Sequence, residues 1–161
     1  MPDRLEWGDQ LWEDPDGGKI LIHSVLPTVV YPRSMRTRES WHALALLESP
    51  DVVDLWVQEE KDEAESPGVN LAHGLISGGS FGIFLDEISM VEDVTSGRFP
   101  DPEPRRLHRN AVRHERPVFF IEPTADDEEW NKHLTREAKA ASHWRKLLGM
   151  ISIGGKWRKR V

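Results

Sequence analysis

The chain has 161 residues, no cysteine and a formal net charge of −7. This length suits a single domain with its own hydrophobic core, and the absence of cysteine excludes disulfides, thiolate catalysis and cysteine-bound metal. The negative charge argues against a general nucleic-acid binder. No stretch provides the roughly 20 apolar residues of a membrane span, and residues 1–10 are too polar for a secretory signal. We therefore expect a soluble protein of intracellular origin with no membrane partner.

The N-terminal part of the chain predicts a β-hairpin. Segments 5–13 and 19–26 flank residues 14–18, Asp-Pro-Asp-Gly-Gly, which form a strong turn signal. The second segment is rich in apolar residues, so we expect it to be largely buried. Residues 28–31 then predict an edge strand that ends at Pro32.

Two short helices are expected next. Thr37 can cap a helix that carries Trp41, Leu44 and Leu47. Ser49 followed by Pro50 predicts the start of a second helix that runs into the acidic residues from Glu59, with a strand over 52–57 as the alternative. We interpret the polar stretch before the break at 66–68 as a surface loop.

The middle of the chain predicts a second pair of strands. Residues 69–76 and 81–91 flank a glycine turn, and Phe81, Ile83 and Leu85 alternate in the manner of a strand. Residues 95–104 contain a glycine and three prolines, which favour an extended arm. A short helix is expected over 104–115.

The C-terminal part predicts a buried strand followed by a long helix. Residues 118–121 are a continuous apolar run between two prolines, as in a strand covered on both faces. Thr124 and Asp127 fit a capping box, and the helix expected over 125–148 has an apolar stripe that includes Trp130 and Trp144. The fold class is therefore predicted to be α+β, a single domain with a mostly antiparallel sheet covered by this helix and shorter ones. Residues 151–161 form a basic tail.

Five basic side chains on the predicted helix at 104–115 and just after it form the most specific candidate binding surface. They lie within about one third of the helix circumference, and we call them the arginine ridge: Arg105, Arg106, Arg109, Arg113 and Arg116. Such a ridge can bind phosphates or the carboxylates of a partner bidentately. The alternative is a solvated face that pairs with the chain's own acids at 122–129.

One catalytic motif occurs in the sequence. Residues 78–82 match Gly-x-Ser-x-Gly, the turn that exposes a nucleophilic serine in α/β-hydrolases. Too few strands precede Ser80 for that fold, and a strand is expected after it, so a glycine-rich hairpin explains the same residues. The histidines lack the spacing of metal ligands. We expect no catalytic site, no metal and no cofactor, with a serine hydrolase at Ser80 as a third function.

The order Arg-Pro, apolar run, Pro and acidic helix start at residues 116–123 resembles the C-terminal part of tail-completion or neck proteins of long-tailed bacteriophages. These head–tail connector proteins are small α+β subunits that form rings between head and tail. The resemblance covers a short part of the chain. It implies a non-enzymatic virion component that forms a homo-oligomer.

The function predicted from the sequence is therefore a structural assembly subunit. Its contact elements are expected in the arm and the basic tail, where aromatic anchors stand among basic residues: Phe99, Trp157, Arg158 and Arg160. The alternative is a nucleic-acid-associated protein that uses the arginine ridge. The expected location is the virion, or the cytoplasm if the phage interpretation does not hold.

Overall fold

The computed structural model describes residues 8–37, 40–91 and 94–141. Contacts between Cα atoms divide the chain into two compact units, Met1–Ile121 and Glu122–Val161, where the sequence predicts a single domain. In the described part, the first unit contains four strands and four helices, and the second contains one helix.

The first unit begins with an antiparallel hairpin of β1 (Gln10–Glu13) and β2 (Lys19–Ile22). Its turn is closed by the backbone N–H of Asp14, which donates to the carbonyl of Gly18 at 2.7 Å. Gly17 has a φ of 99°, a conformation that glycine adopts without strain. The hairpin predicted from the turn cluster is confirmed. Its second strand is less buried than expected, since Ile20 and Ile22 are about half exposed.

The other two strands form a parallel pair, β3 (Leu44–Leu46) and β4 (Val118–Phe120). The N–H of Leu44 donates to the carbonyl of Pro117, and the N–H of Ile121 donates to that of Leu46, both at 2.9 Å. The helix predicted from Thr37 is therefore wrong, because this pairing overrides the helical spacing of its apolar residues. The strand predicted at 118–121 is confirmed over 118–120. It is not buried on both faces, since Phe119 is 59% exposed.

Helix α1 spans Val52–Glu65 and confirms the helix predicted for this segment over the alternative strand. Val52 and Trp56, one turn apart, pack with Leu46 of β3 in a buried cluster, joined by Phe120 of β4. The acidic stretch predicted as a loop continues this helix, because its residues are good helix formers and lie away from the cluster. The helix ends where the N–H of Ser66 donates to Asp62.

The strands predicted at 69–76 and 81–91 are wrong. These residues form helices α2 (Val69–Ser77) and α3 (Ser80–Ser89). Apolar residues at helical spacing, Leu85 and Ile88, are buried, whereas Ile83 is exposed. The two helices pack closely because Gly74 and Gly82 carry no side chain. A Cβ at Gly82 would lie 2.9 Å from the carbonyl oxygen of Leu75.

Helix α4 spans Pro102–Arg113, close to the predicted bounds. Prolines in its first turn are compatible with a helix start, since the N–H groups there have no intrahelical acceptor. Leu107 and Ala111 are buried on the side that faces β3 and β4. The segment before α4 lies against the loop after the hairpin: the N–H of Val30 donates to Thr95 at 2.8 Å, and the N–H of Arg98 donates to Thr28 at 3.0 Å.

A second buried cluster is formed by Val29, Tyr31 and Ile88, with Phe84 and Met35 packed against it. The first unit therefore combines helices and strands around two clusters, which supports the α+β class. A mostly antiparallel sheet is not confirmed, because the described strands form one antiparallel pair and one parallel pair.

The described part of the second unit contains helix α5 (Glu128–Ala141). Its start is capped by Asp127, whose Oδ1 accepts the N–H of Trp130 at 2.8 Å. Trp130 is partly exposed and stacks on His133, and residues 131–140 are exposed. The burial predicted for the apolar stripe is thus not found in this part. The rest of the predicted helix, with Trp144, and the basic tail lie outside the described residues.

Candidate functional site

A cavity of about 750 Å³ opens along α4 and the segment before it. Half of its lining residues are arginines: Arg98, Arg105, Arg106, Arg109 and Arg113. The other lining residues are Val30, Phe99, Pro100, Pro102 and Asn110. None of the lining residues is acidic, so we call this feature the arginine cavity.

Helical periodicity explains why α4 presents so many arginines to one space. Arg105, Arg109 and Arg113 follow one another at intervals of four residues, and Leu107 and Ala111 take the buried side. Four members of the predicted arginine ridge line the cavity. The grouping predicted from the sequence is thus found for those four.

The fifth ridge residue, Arg116, is placed differently. It follows the end of α4, and its guanidinium carbon lies 4.3 Å from the centre of the Trp41 ring. Its Nη1 also approaches Asn110 Oδ1 at 3.5 Å. Arg116 is not among the residues that line the cavity, because the helix has ended and the chain turns toward β4.

The acids that pair with the ridge are Glu60 and Glu103, whereas the sequence suggested those at 122–129. Glu60 of α1 contacts Arg105 through one carboxylate oxygen and lies 3.6 Å from Arg109 Nη2 through the other. Glu103 accepts a bidentate pair from Arg106, with Nε at 2.9 Å. Among the residues that the structure describes, carboxylate partners are therefore found for three of the five cavity arginines.

Glu103 belongs to a row of polar side chains that no sequence motif reveals. Its side chain is almost fully buried, and Oε1 lies 3.3 Å from His23 Nε2. His23 Nδ1 is in turn 2.6 Å from Asp9 Oδ1. Because a buried carboxylate requires partners, this arrangement fixes Glu103, and through it the guanidinium of Arg106.

The segment that carries Arg98 is hydrogen-bonded to Thr28, a residue with strained backbone conformation. Thr28 has a φ of 62°, which is unusual for a β-branched residue, and its carbonyl accepts the N–H of Arg98. The Thr28 hydroxyl is buried, and no hydrogen-bond partner lies near it among the described residues. The backbone of Arg98 is therefore positioned by a hydrogen bond to a residue whose own backbone conformation is unfavourable.

Two carboxyl groups near the cavity titrate close to neutral pH. Burial raises the pKa of Asp101 to about 6, although the nearby backbone amides of Thr28 and Glu103 lower it in part. Burial also raises the pKa of Glu59 to about 7, with a further contribution from Asp101, while Arg105 lowers it. The negative charge next to the arginines consequently decreases below pH 7.

The expected contact anchors have mixed outcomes. Phe99 lines the cavity and packs near Gly74 of α2, where an added Cβ would lie 3.8 Å from its ring. It is therefore partly buried within its own chain. Trp157, Arg158 and Arg160 lie outside the described residues.

Ser80 is the exposed first residue of α3 and follows α2 after a short turn. A nucleophile elbow joins a strand to a helix, whereas here two helices are joined. The expectation of a strand after Ser80 was wrong, but the preceding helix still departs from the motif. Within the described ranges, no histidine hydrogen-bonds to its hydroxyl, and no group of three or more His, Cys, Asp or Glu residues could hold a metal.

A second surface of interest is one face of the hairpin. Trp12 stands opposite Ile20, and Ile22 lies two residues further on the same face. We call these three residues the hairpin face. They are 50%, 55% and 51% exposed, respectively, which the sequence did not predict for the isoleucines.

None of the described helices is long and apolar enough to cross a membrane. Comparison with protein-family models, with curated proteins and with solved structures finds no match to this chain.

Proposed function

We propose that the protein is a non-enzymatic subunit of an assembly, in which it associates with further copies of itself. The observation that supports this proposal is the exposed apolar hairpin face. A two-stranded hairpin is marginally stable in water on its own, and apolar patches of this kind are typical of contact surfaces. A partner that covers Trp12, Ile20 and Ile22 would remove this apolar surface from water.

A second copy of the chain is the partner that the hairpin favours. In the described part, β1 and β2 pair only with each other, so the outer edge of each has no further strand beside it there. Two copies related by a two-fold axis present the same edge and the same face to each other. Pairing of their edges would give four strands, and it would also provide the mostly antiparallel sheet that the sequence predicts.

The most concrete setting for this role is the neck or tail of a long-tailed phage virion. The support is the resemblance of residues 116–123 to head–tail connector proteins, which form rings. Among the described residues of that stretch, 118–120 do form a strand of an α+β unit. The proposed location is accordingly the virion.

The test is the mass of the full chain under native conditions over a range of concentrations. We expect the wild type to associate, and we expect the double variant Ile20→Thr/Ile22→Thr to shift toward monomer because it keeps β-branched residues but removes apolar surface. Ile83→Thr is the matched control, since Ile83 on α3 is exposed to a similar extent, at 63%. A wild type that remains monomeric throughout would contradict the proposal.

A second candidate function is binding to nucleic acid. The arginine cavity favours it, because guanidinium groups that converge on one space can bind phosphates bidentately. Binding that weakens steeply with salt, and that requires the cavity arginines, would support this function.

A further inference from the structure

The charge balance of the arginine cavity is positive although the whole chain is acidic. Five guanidinium groups line it, and the carboxylates that contact them are those of Glu60 and Glu103. In the part of the chain that the structure describes, no ion pair joins Arg98 or Arg113 to a carboxylate. The guanidinium groups that line the cavity therefore outnumber the carboxylates in direct contact with them by three, and an anionic ligand would complement this excess.

The size and lining of the cavity indicate more than a simple ion. Its volume of about 750 Å³ lies within the range of roughly 300–1,000 Å³ that is common for small-molecule sites. Phe99 and Pro100 provide an apolar wall, and Asn110 adds an amide. A ligand that fits this lining has an anionic group for the arginines and an organic part for the wall.

Phosphate is the anion that matches the arginines best. A phosphate group offers several acceptor oxygens and up to two charges, so it can bind more than one guanidinium at a time. A carboxylate carries one charge and two oxygens.

We propose that the arginine cavity binds a phosphate-bearing ligand of nucleotide size, and that Glu60 is an internal carboxylate which competes with that phosphate. This inference does not depend on self-association. It makes the second candidate function, nucleic-acid binding, more specific by naming the phosphate as the group that the cavity recognises. The phosphate can belong to a free nucleotide or to the backbone of a single-stranded nucleic acid. Both sources present the same chemistry to the arginines.

The two acids at the cavity have different roles because their surroundings differ. Glu103 is buried, lies 3.3 Å from His23 Nε2 and accepts two hydrogen bonds from Arg106, so it positions Arg106. Glu60 is about half exposed on α1, and its contact with Arg109 is long, at 3.6 Å. A phosphate that approaches Arg109 can therefore displace Glu60 from that guanidinium and compete with it for Arg105, while Glu103 stays in place.

The experiment measures binding of two probes to the full chain at low salt. The probes are ATP and a thymidine oligonucleotide of about 12 nucleotides, a length within the roughly 4–16 nucleotides that known single-strand binding folds cover. Arg109→Ala/Arg113→Ala removes two exposed arginines of the cavity, and Glu60→Gln removes the competing charge with little change of shape. Arg136→Ala is the matched control, since it removes an exposed arginine of α5, outside the cavity.

We expect the double arginine variant to bind at least about tenfold more weakly, because each lost charged hydrogen bond is worth about that factor. For the oligonucleotide, the dependence of log affinity on log salt should decrease by about 2 units. Glu60→Gln should bind more tightly, by about threefold or more, since a charge that opposes the ligand is removed. Arg136→Ala should bind like the wild type.

Two further arms identify the source of the phosphate and test the alternative. Similar affinities for ATP and for the oligonucleotide support a free nucleotide, and a much higher affinity for the oligonucleotide supports nucleic acid. Unchanged binding in the double arginine variant overturns the site. If a poly-glutamate peptide binds as tightly as ATP, the proposed preference for phosphate is wrong. If Glu60→Gln binds the probes more weakly than the wild type, Glu60 does not compete with the phosphate.

Discussion

The hairpin and helix α4 present two surfaces of opposite chemistry within the same unit. The hairpin face is apolar and lies on a two-stranded sheet, whereas the arginine cavity is concave, charged and built on a helix with a buried opposite side. An apolar surface gains free energy by leaving water, and a charged one gains it by meeting an opposite charge. The two surfaces should therefore respond differently to mutation, salt and pH, and a single chain can be tested for both.

The largest expected effect is a difference in stability loss between two substitutions, one of Trp56, which packs against α4, and one of Trp12 on the hairpin. Trp56 is buried and packs edge-on against His108 of α4, with ring centres 5.6 Å apart. Trp56→Ala should lower the free energy of unfolding by about 3–5 kcal/mol, as large-to-small core changes do. Urea denaturation followed by circular dichroism measures this loss.

Trp12→Ala is the control for that experiment, because Trp12 is half exposed on the hairpin face. It should cost about 1 kcal/mol or less in the dilute monomer. Equal losses for the two variants would show that the hairpin is as firmly packed as the core around α4, and would remove the main support for the assembly proposal.

Raising the salt concentration should affect the arginine cavity and the hairpin face differently. When sodium chloride is raised from about 50 to about 500 mM, binding of the oligonucleotide to the cavity should weaken by about tenfold or more, since counterions compete for the arginines. Self-association through the hairpin face should hold or become stronger, because salt does not screen apolar contacts. Titration and native mass measured on the same samples would compare them. Parallel loss of both would indicate that charged contacts also hold the assembly.

The titration of Glu59 makes unfolding of the first unit depend on pH. Its ordinary pKa is 4.5, and burial raises it to about 7, so the folded state binds this proton more tightly than the unfolded state does. Stability should accordingly fall as the pH rises from about 4.5 to about 7. The shift of Asp101, from 3.8 to about 6, acts in the same direction at slightly lower pH.

Glu59→Gln tests this assignment, because glutamine keeps the shape and cannot ionise. The variant should be more stable than the wild type at pH 8, and the difference should shrink toward pH 5. Denaturation midpoints at several pH values measure it. Identical pH profiles would show that the carboxyl group is solvated in the folded protein.

The sequence was sufficient to predict those elements that depend on contacts between residues close together in the chain. The turn at 14–18 determines the hairpin, and the spacing of the arginines predicts one face of α4. The parallel partner of β3 lies far along the chain at 118–120, so no window around Leu44 could reveal that strand. In α3, the spacing of Phe81 and Leu85 fits both the period of two of a strand and the period of 3.6 of a helix. A strand would place Ile83 on the same face as these two residues, but Ile83 is exposed while Leu85 is buried, as in a helix.

The same reasoning applies to the site. The arginines were found because they share one helix, whereas Glu60 and His23 reach the cavity region from other elements and carry no motif. Arg98 joins the cavity through a loop that pairs with residues 28–30, which local sequence does not specify. Non-local packing thus supplies the parts of the site that the sequence left out.

The smallest expected effect concerns Arg116, which the sequence places on the ridge and the structure places over Trp41. Arg116→Ala should leave ATP and oligonucleotide binding unchanged, because this guanidinium does not line the cavity. It should lower the free energy of unfolding by about 0.5–1 kcal/mol, the usual size of a partly exposed cation–π contact. Arg113→Ala should do the reverse, with weaker binding and unchanged stability, since Arg113 is exposed on α4. If Arg116→Ala weakened binding as much as Arg113→Ala does, the ligand would extend past the end of α4, and the cavity would be only one part of a longer groove.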